Sequence, residues 1–196
     1  MIVNIIFRAE LWKYSERQIM ILLVVDAQKQ ITNDKLYMFD KFVVNVKALI
    51  SAARENAVGV IFVRHDDGAG EAMTKGREGF EIYDEFKPRE DERIFDKTAN
   101  SAFYRTGLLG YLKKIGETEL MIVGLQTDYC IDATVKCGFE HGFKVTVPAN
   151  CNTTFDNEFM SAEKSYAYYN DFIWQKRYAE CISVENALER IRGESA

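Results

Sequence analysis

Six short, mainly apolar runs recur along the chain, and several of them end at a polar or charged residue. They cover residues 20–25, 58–63, 93–96, 119–124, 143–147 and 181–184. Uninterrupted apolar runs of this length are typical of strands that are buried on both faces, as the strands of a parallel sheet are. The pattern therefore predicts six strands.

Apolar positions between these runs recur with the period of a helix. They predict helices at about 38–56, 108–115, 128–141 and 157–179, and a final helix that ends near residue 192. Strands that alternate with helices favour one α/β domain, with a doubly wound parallel sheet and helices on both faces. The exception is the Gly-rich, charged stretch 68–93, which predicts a long loop acting as a lid or a subunit contact.

Length and charge fit a single globular domain and exclude several classes of partner. The chain has 196 residues and a net charge of −5 without a basic block, which argues against nucleic acid as a partner. No apolar run reaches the roughly 20 residues that a membrane span needs. Residues 1–19 carry no clear pattern, so we interpret them as an extension, with Met20 as an alternative start and residues 20–196 as the domain.

The four cysteines have neither the spacing of a zinc site nor a secretory context. They are Cys130, Cys137, Cys151 and Cys181, and no two of them form a C-x2-C pair. We therefore expect reduced thiols in a cytoplasmic protein.

Cys130 differs from the other cysteines because of the stretch around it. Residues 120–134 begin as a buried strand, break at Gly124 and resume as a helix, with Thr127 as the predicted N-cap and Cys130 in the first turn. Open α/β sheets bind ligands at that end of a strand, and a helix N-terminus favours thiolate over thiol. Cys130 is therefore a candidate nucleophile. The alternative is a small buried apolar residue, as most cysteines on helices are.

Two charged residues also follow predicted strands directly. Asp26 ends the first strand and Lys97 ends the third. If the first and fourth strands are neighbours at the switch point of the sheet, Asp26 faces Cys130. The carboxylate could then act as general base for the thiol, with the lysine keeping it ionised and N–H groups of the following turn forming an oxyanion hole. An equally good alternative is that both charged side chains are solvated groups at strand ends without a functional role.

Four segments together resemble the isochorismatase-like cysteine hydrolase family, and they occur in the family's order over about residues 20–155. They are Val-Val-Asp26-Ala-Gln28, Phe-Val-Arg-His65-Asp-Asp-Gly68, Phe-Asp-Lys97-Thr-Ala-Asn-Ser-Ala-Phe103-Tyr-Arg-Thr-Gly-Leu108 and Ile-Val-Gly124-Leu-Gln-Thr127-Asp-Tyr-Cys130-Ile-Asp-Ala-Thr134. The resemblance implies a six-stranded parallel sheet of order 3-2-1-4-5-6.

The resemblance also implies a set of site residues. The family's triad maps onto Asp26, Lys97 and Cys130, and its non-proline cis peptide bond maps onto Leu125–Gln126. The amides of Gln126 and Cys130 would then form the oxyanion hole. The implied activity is hydrolysis of a C–N bond, in a small amide or ureido substrate, through a thioester on Cys130. Family members are commonly dimers or tetramers, so we expect a homo-oligomer.

Further residues narrow the expected substrate and cofactors. By resemblance, Gln28, Phe103 and Tyr129 are candidate walls of the substrate pocket. Metal-dependent relatives carry a histidine cluster, whereas this chain has only His65 and His141, so we expect no metal and no other cofactor. A structural role in ordering the loop is the favoured interpretation of His65.

Three alternative functions stay open at the level of sequence. One is hydrolysis of a vinyl ether, although relatives with that activity replace the cysteine. Another is a thiol sensor, against which the absence of a C-x-x-C partner counts. The third is a catalytically silent binding protein. The aromatic stretch 159–174 is either helix core or an oligomer face.

Overall fold

A parallel β-sheet forms the centre of the computed structural model, which describes residues 20–194. Its strands are β1 (Met20–Val25), β2 (Gly59–His65), β3 (Arg93–Lys97), β4 (Glu119–Leu125), β5 (Lys144–Pro148), β6 (Asn152–Thr153) and β7 (Glu180–Ile182). The sheet runs β3-β2-β1-β4-β5-β7, and the two-residue β6 pairs with β4. Every one of these pairings is parallel. The predicted order is confirmed, with β7 as the predicted sixth strand and β6 as an additional one.

Helices cover both faces of the sheet. They are α1 (Phe39–Glu55), α2 (Leu108–Ile115), α3 (Asp132–Glu140), α4 (Ala162–Ala167) and α5 (Val184–Arg192). Alternate residues of β1 enter two different cores, because Leu22 and Val24 pack in the core that includes α1 and α5, whereas Leu23 and Val25 pack in the one that includes α2 and α3. Both faces of the strand are therefore buried, as the apolar run predicts. Among the described residues, no helix combines the length and the apolar character that crossing a membrane requires.

The long helix predicted at 157–179 is shorter and less regular than expected. It begins only at Ala162, where Ser161 caps it by accepting a hydrogen bond from the amide of Lys164, and it continues after Ala167 as a π-helical segment, Tyr168–Trp174. The wider turn carries Trp174 into the core, where its indole N–H donates to Asp132 at 2.9 Å. This buried anchor, which helical periodicity does not reveal, explains the difference.

The loop 68–93 is anchored to the body of the domain. It contains two short 3-10 turns, Glu78–Phe80 and Asp84–Phe86, and Phe80 and Phe86 are both fully buried. The Arg64 guanidinium lies 4.3 Å from the centre of the Phe80 ring, and the Phe42 and Phe86 rings meet edge to face. A segment that contributes two aromatic side chains to the core is part of the scaffold of the site.

The carboxyl ends of β1 and β4 lie side by side at the point where the strand order reverses. The strands approach so closely there that Gly124, at φ 128°, has no room for a side chain, because a Cβ atom would collide with the backbone of Val25. Glycine is thus required at this position for the two strand ends to meet. The meeting point is the place where sheets of this kind bind ligands.

Candidate active site

Asp26, the first of the candidate residues, ends β1 in a backbone conformation that favours glycine. Its φ is 51°, and its amide donates to the carbonyl of Val63 on β2 at 2.9 Å. The carboxyl group is almost completely buried, and its Oδ1 accepts no hydrogen bond from the described residues. Backbone strain of this kind is typical of functional sites.

Lys97 reaches the same point from two strands away. It is the last residue of β3, next to His65 at the end of β2, and its long side chain passes over the end of β2. The ammonium lies 2.6 Å from Asp26 Oδ2, 3.2 Å from Cys130 Sγ and 2.9 Å from His65 Nδ1. An ammonium has three N–H donors. Here three side chains surround it.

Cys130 lies in a π-helical turn, Thr127–Ile131, that connects β4 to α3. The peptide bond between Leu125 and Gln126 is cis, just before this turn. The predicted N-cap is wrong, because Gln126 occupies that position without a side-chain cap and the Thr127 hydroxyl instead donates to Asn152 at 2.8 Å. Asn152 also bonds with Asn170, so a buried polar network anchors the cysteine-bearing turn to β6.

Burial dominates the electrostatics of the site. It raises the pKa of the Cys130 thiol to about 12; the Asp26 carboxylate adds to this, and Lys97 partly opposes it. Burial likewise raises the pKa of Asp26, although Lys97 and the Cys130 thiol act against it. Burial therefore opposes ionisation of both groups, whereas Lys97 favours the ionised form of each. Removal of both groups from water outweighs those attractions.

Two of the three residues predicted to line the substrate pocket, Gln28 and Phe103, make other contacts in the structure. The Gln28 amide is fully buried and uses its hydrogen-bonding atoms on backbone: Oε1 accepts from the His65 amide at 2.7 Å, and Nε2 donates to the carbonyls of His65 and Phe80. Phe103 stacks on Phe143, with a ring-centre distance of 6.0 Å, and contacts the ring of His141. We therefore assign Gln28 to the scaffold and Phe103 to the core.

Tyr129 remains as a candidate pocket wall, because about half of its surface is exposed beside Cys130. Two further residues lie at the site: Asn100, which carries no clear signal in the sequence, and His65, for which the sequence favours a structural role. The exposed Asn100 has its Oδ1 at 3.8 Å from Cys130 Sγ, and His65 contacts Lys97. Both contacts depend on how far the Lys97 side chain and the loop after it extend across the sheet, which strand periodicity does not encode.

Three side chains at this site could in principle ligate a metal ion. One atom from each of Asp26, His65 and Cys130 lies within 4.8 Å of the others. The Lys97 ammonium, however, contacts all three groups and already supplies a positive charge between them. Because a second cation there would be repelled, the residues suit a lysine better than a metal. That the protein needs no metal stays a prediction.

Comparisons with known proteins find similar sequences and a similar fold. A sequence model described as the isochorismatase domain matches residues 20–185. The isochorismatase family protein YddQ of Bacillus subtilis is 30% identical over 155 residues, which cover 76% of this chain and 86% of YddQ. Nicotinamidase 3 of Arabidopsis thaliana is also 30% identical, over 72% of this chain and 76% of its own length.

A solved structure has the same fold. It is a cysteine hydrolase of Pseudomonas syringae pv. phaseolicola 1448A, with a TM-score of 0.82 over 91% of this chain and 94% of that one. At 21% identity, this likeness bears on the fold alone.

Proposed function

Since the chain belongs to the isochorismatase family of hydrolases, we propose that it cleaves a C–N bond of a small amide or ureido compound, with Cys130 as the nucleophile. One observation carries the proposal. The Lys97 ammonium contacts both the carboxyl group of Asp26 and the thiol of Cys130, in a site nearly closed to water. A nucleophile, a base and a cation in mutual contact are the elements of covalent acyl transfer.

The net charge of this group explains how a thiol with a raised pKa can react. In the resting site, the Asp26 carboxylate balances the Lys97 ammonium and Cys130 keeps its proton. When the proton moves from Cys130 to Asp26, the thiolate balances the same ammonium. No charge enters or leaves the buried site, so the desolvation that opposes free ionisation of Cys130 does not oppose the transfer to the same extent.

The chemistry then follows in two halves. The thiolate attacks the substrate carbonyl, and the amides of Gln126 and Cys130 stabilise the oxyanion. The intermediate collapses to a thioester as Asp26 returns its proton to the departing ammonia or amine. Asp26 next removes a proton from a water molecule, which attacks the thioester and releases the acid, and the thiol regains its proton. The three residues end as they began.

Ammonia release from a panel of primary amides and ureido acids tests the proposal. We expect Cys130→Ser to lower turnover by about 10³-fold or more, whereas Cys137→Ser, at a partly buried position of α3, keeps wild-type turnover. An acyl adduct on Cys130 in intact-protein mass spectra would support the thioester. Cleavage of a vinyl ether without ammonia release would favour the alternative activity, and full turnover in Cys130→Ser would reject the covalent scheme.

Exposed apolar side chains support the proposal of a homo-oligomer, either a dimer or a tetramer. Phe159 and Phe172 are 84% and 68% exposed, and both belong to the aromatic stretch 159–174. Clusters of exposed aromatic residues are common at protein interfaces. Sedimentation equilibrium tests this, because a monomer at all concentrations would contradict it. A cytoplasmic location and a domain boundary before Met20 stay predictions, and residues 1–19 lie outside the described residues.

A further inference from the structure

Lys97 has a third contact that the proposed chemistry does not use. Of the three side chains around its ammonium, Asp26 and Cys130 exchange a proton during the reaction, so their attraction for the cation changes at each step. The contact with His65 Nδ1, at 2.9 Å, is to a group that takes no part in that exchange. Among the contacts of Lys97 with described residues, this is the one that can hold the ammonium in place while the negative charge moves between Asp26 and Cys130.

The orientation of the His65 ring is fixed on several sides. Its Nε2 lies 3.3 Å from Asp67 Oδ1, and its backbone N–H and carbonyl both bond with the buried amide of Gln28. With Nε2–H donating to a carboxylate, Nδ1 carries the lone pair and accepts from Lys97. Burial, together with the Lys97 charge, also lowers the pKa of His65, which agrees with a neutral ring.

We propose that His65 is a positioning residue that holds the Lys97 ammonium between Asp26 and Cys130, with Asp67 fixing the tautomer that this requires. The inference rests on the proposed hydrolase function. Without an acceptor at the Nδ1 position, the ammonium follows the negative charge, pairing closely with one reacting group and leaving the other. The rates of the proton transfer and of the chemical step then fall, whereas substrate binding is unchanged.

Two amide variants separate this role from a merely structural one. The side chain of Asn ends at about the distance of Nδ1 from the backbone, so His65→Asn keeps an acceptor for Lys97. The longer side chain of Gln ends near the Nε2 position, so His65→Gln removes that acceptor while keeping polarity and bulk. Thermal unfolding of both variants checks that the fold is intact.

The first readout is the rate of Cys130 alkylation by iodoacetamide, mapped by mass spectrometry, because it requires no knowledge of the substrate. We expect a fall of about 10–100-fold in His65→Gln and of less than about fivefold in His65→Asn, as the loss of a hydrogen bond to a charged group predicts. With an amide substrate, kcat should likewise fall more in His65→Gln than in His65→Asn, while KM changes by less than about threefold.

Different failures have different meanings. Equal rates in the two variants, whether both unchanged or both reduced alike, would overturn the positioning role of His65 while leaving the proposed function intact. If Cys130 of the wild-type protein reacts no faster than Cys137, the proposed function fails, and the inference about His65 fails with it.

Discussion

At the residue scale, the proposed chemistry depends on one buried cation, the Lys97 ammonium, beside two groups that can each carry a negative charge. The Lys97 ammonium, 2.6 Å from Asp26 and 3.2 Å from Cys130, is compatible with a negative charge on either group. The resemblance identifies these three residues, but apolar periodicity alone leaves them as three separate strand ends. Neither the resemblance nor the periodicity predicts the contact between Lys97 and His65, because this contact depends on the path of the Lys97 side chain across the end of β2.

Replacement of Lys97 by methionine tests the balance of charge. The Asp26 carboxylate then lacks its cation, and removing one partner from a buried pair typically costs about 3–5 kcal/mol. Burial already raises the pKa of Asp26 above 3.8, so the folded state binds more protons than the unfolded state above that pH. We therefore expect the free energy of unfolding of Lys97→Met to fall as the pH rises from acid towards neutral.

The matched control is the double variant Asp26→Asn/Lys97→Met, which has neither charge. Urea unfolding at several pH values should show that it recovers most of the stability at neutral pH. Equal pH dependence in the single and double variants would mean that the Asp26 carboxylate is not the source of the effect.

His65 should give a pH dependence of the opposite sign. Its pKa is lowered below 6.5 by burial and by Lys97, against the smaller influence of Asp26, Asp67 and Asp66. Below pH 6.5 the unfolded state therefore binds more protons than the folded state, and stability falls as the pH drops. We expect His65→Asn to lose less stability than the wild type between neutral and mildly acidic pH, as measured by urea unfolding. A steeper loss in the variant would contradict a neutral His65.

At the element scale, the apolar runs predict every strand of the main sheet. The central strands β1 and β4 are buried along almost their whole length, whereas the edge strands β3 and β7 are partly exposed and give shorter signals. The pattern misses β6, since Asn152 and Thr153 are polar, and it misses the π-helical turns, whose hydrogen bonds leave no distinct periodicity. It also predicts that the loop 68–93 acts as a lid or a subunit contact, and it does not reveal that Phe80 and Phe86 anchor this loop in the core. Short polar strands and irregular turns are specified by particular buried partners, and those partners are known only from the fold.

A pair of glycine substitutions tests the meeting of β1 and β4. Gly124→Ala places a Cβ atom against the backbone of Val25 at a φ of 128°, so we expect the variant to lose about 2–4 kcal/mol of stability or to fail to fold. Gly110→Ala, in the exposed middle of α2 where an added Cβ atom would meet no other heavy atom, should instead be neutral or gain up to about 1 kcal/mol. Similar unfolding midpoints for the two variants would contradict the close approach.

At the scale of the whole molecule, the sheet brings residues from three distant parts of the chain to one edge. Asp26 follows the central strand β1, Cys130 follows its neighbour β4, and Lys97 crosses from β3 past β2. The order of the strands is therefore what brings these three residues together. The fold could be predicted because the apolar runs, and the alternation of strands with helices, determine it. The residues that line the pocket could not be predicted, since the contacts of Gln28 and Phe103 depend on how the whole molecule packs.

The pH dependence of Cys130 alkylation tests the central claim, that Asp26 takes the thiol proton within the buried group, most directly. An independently ionising thiol reacts about tenfold faster per pH unit below its pKa. Wild-type Cys130 should instead reach a plateau by neutral pH, because its base is already in place, and Asp26→Asn should react far more slowly and regain the tenfold slope. The same tenfold slope in both proteins would contradict the account.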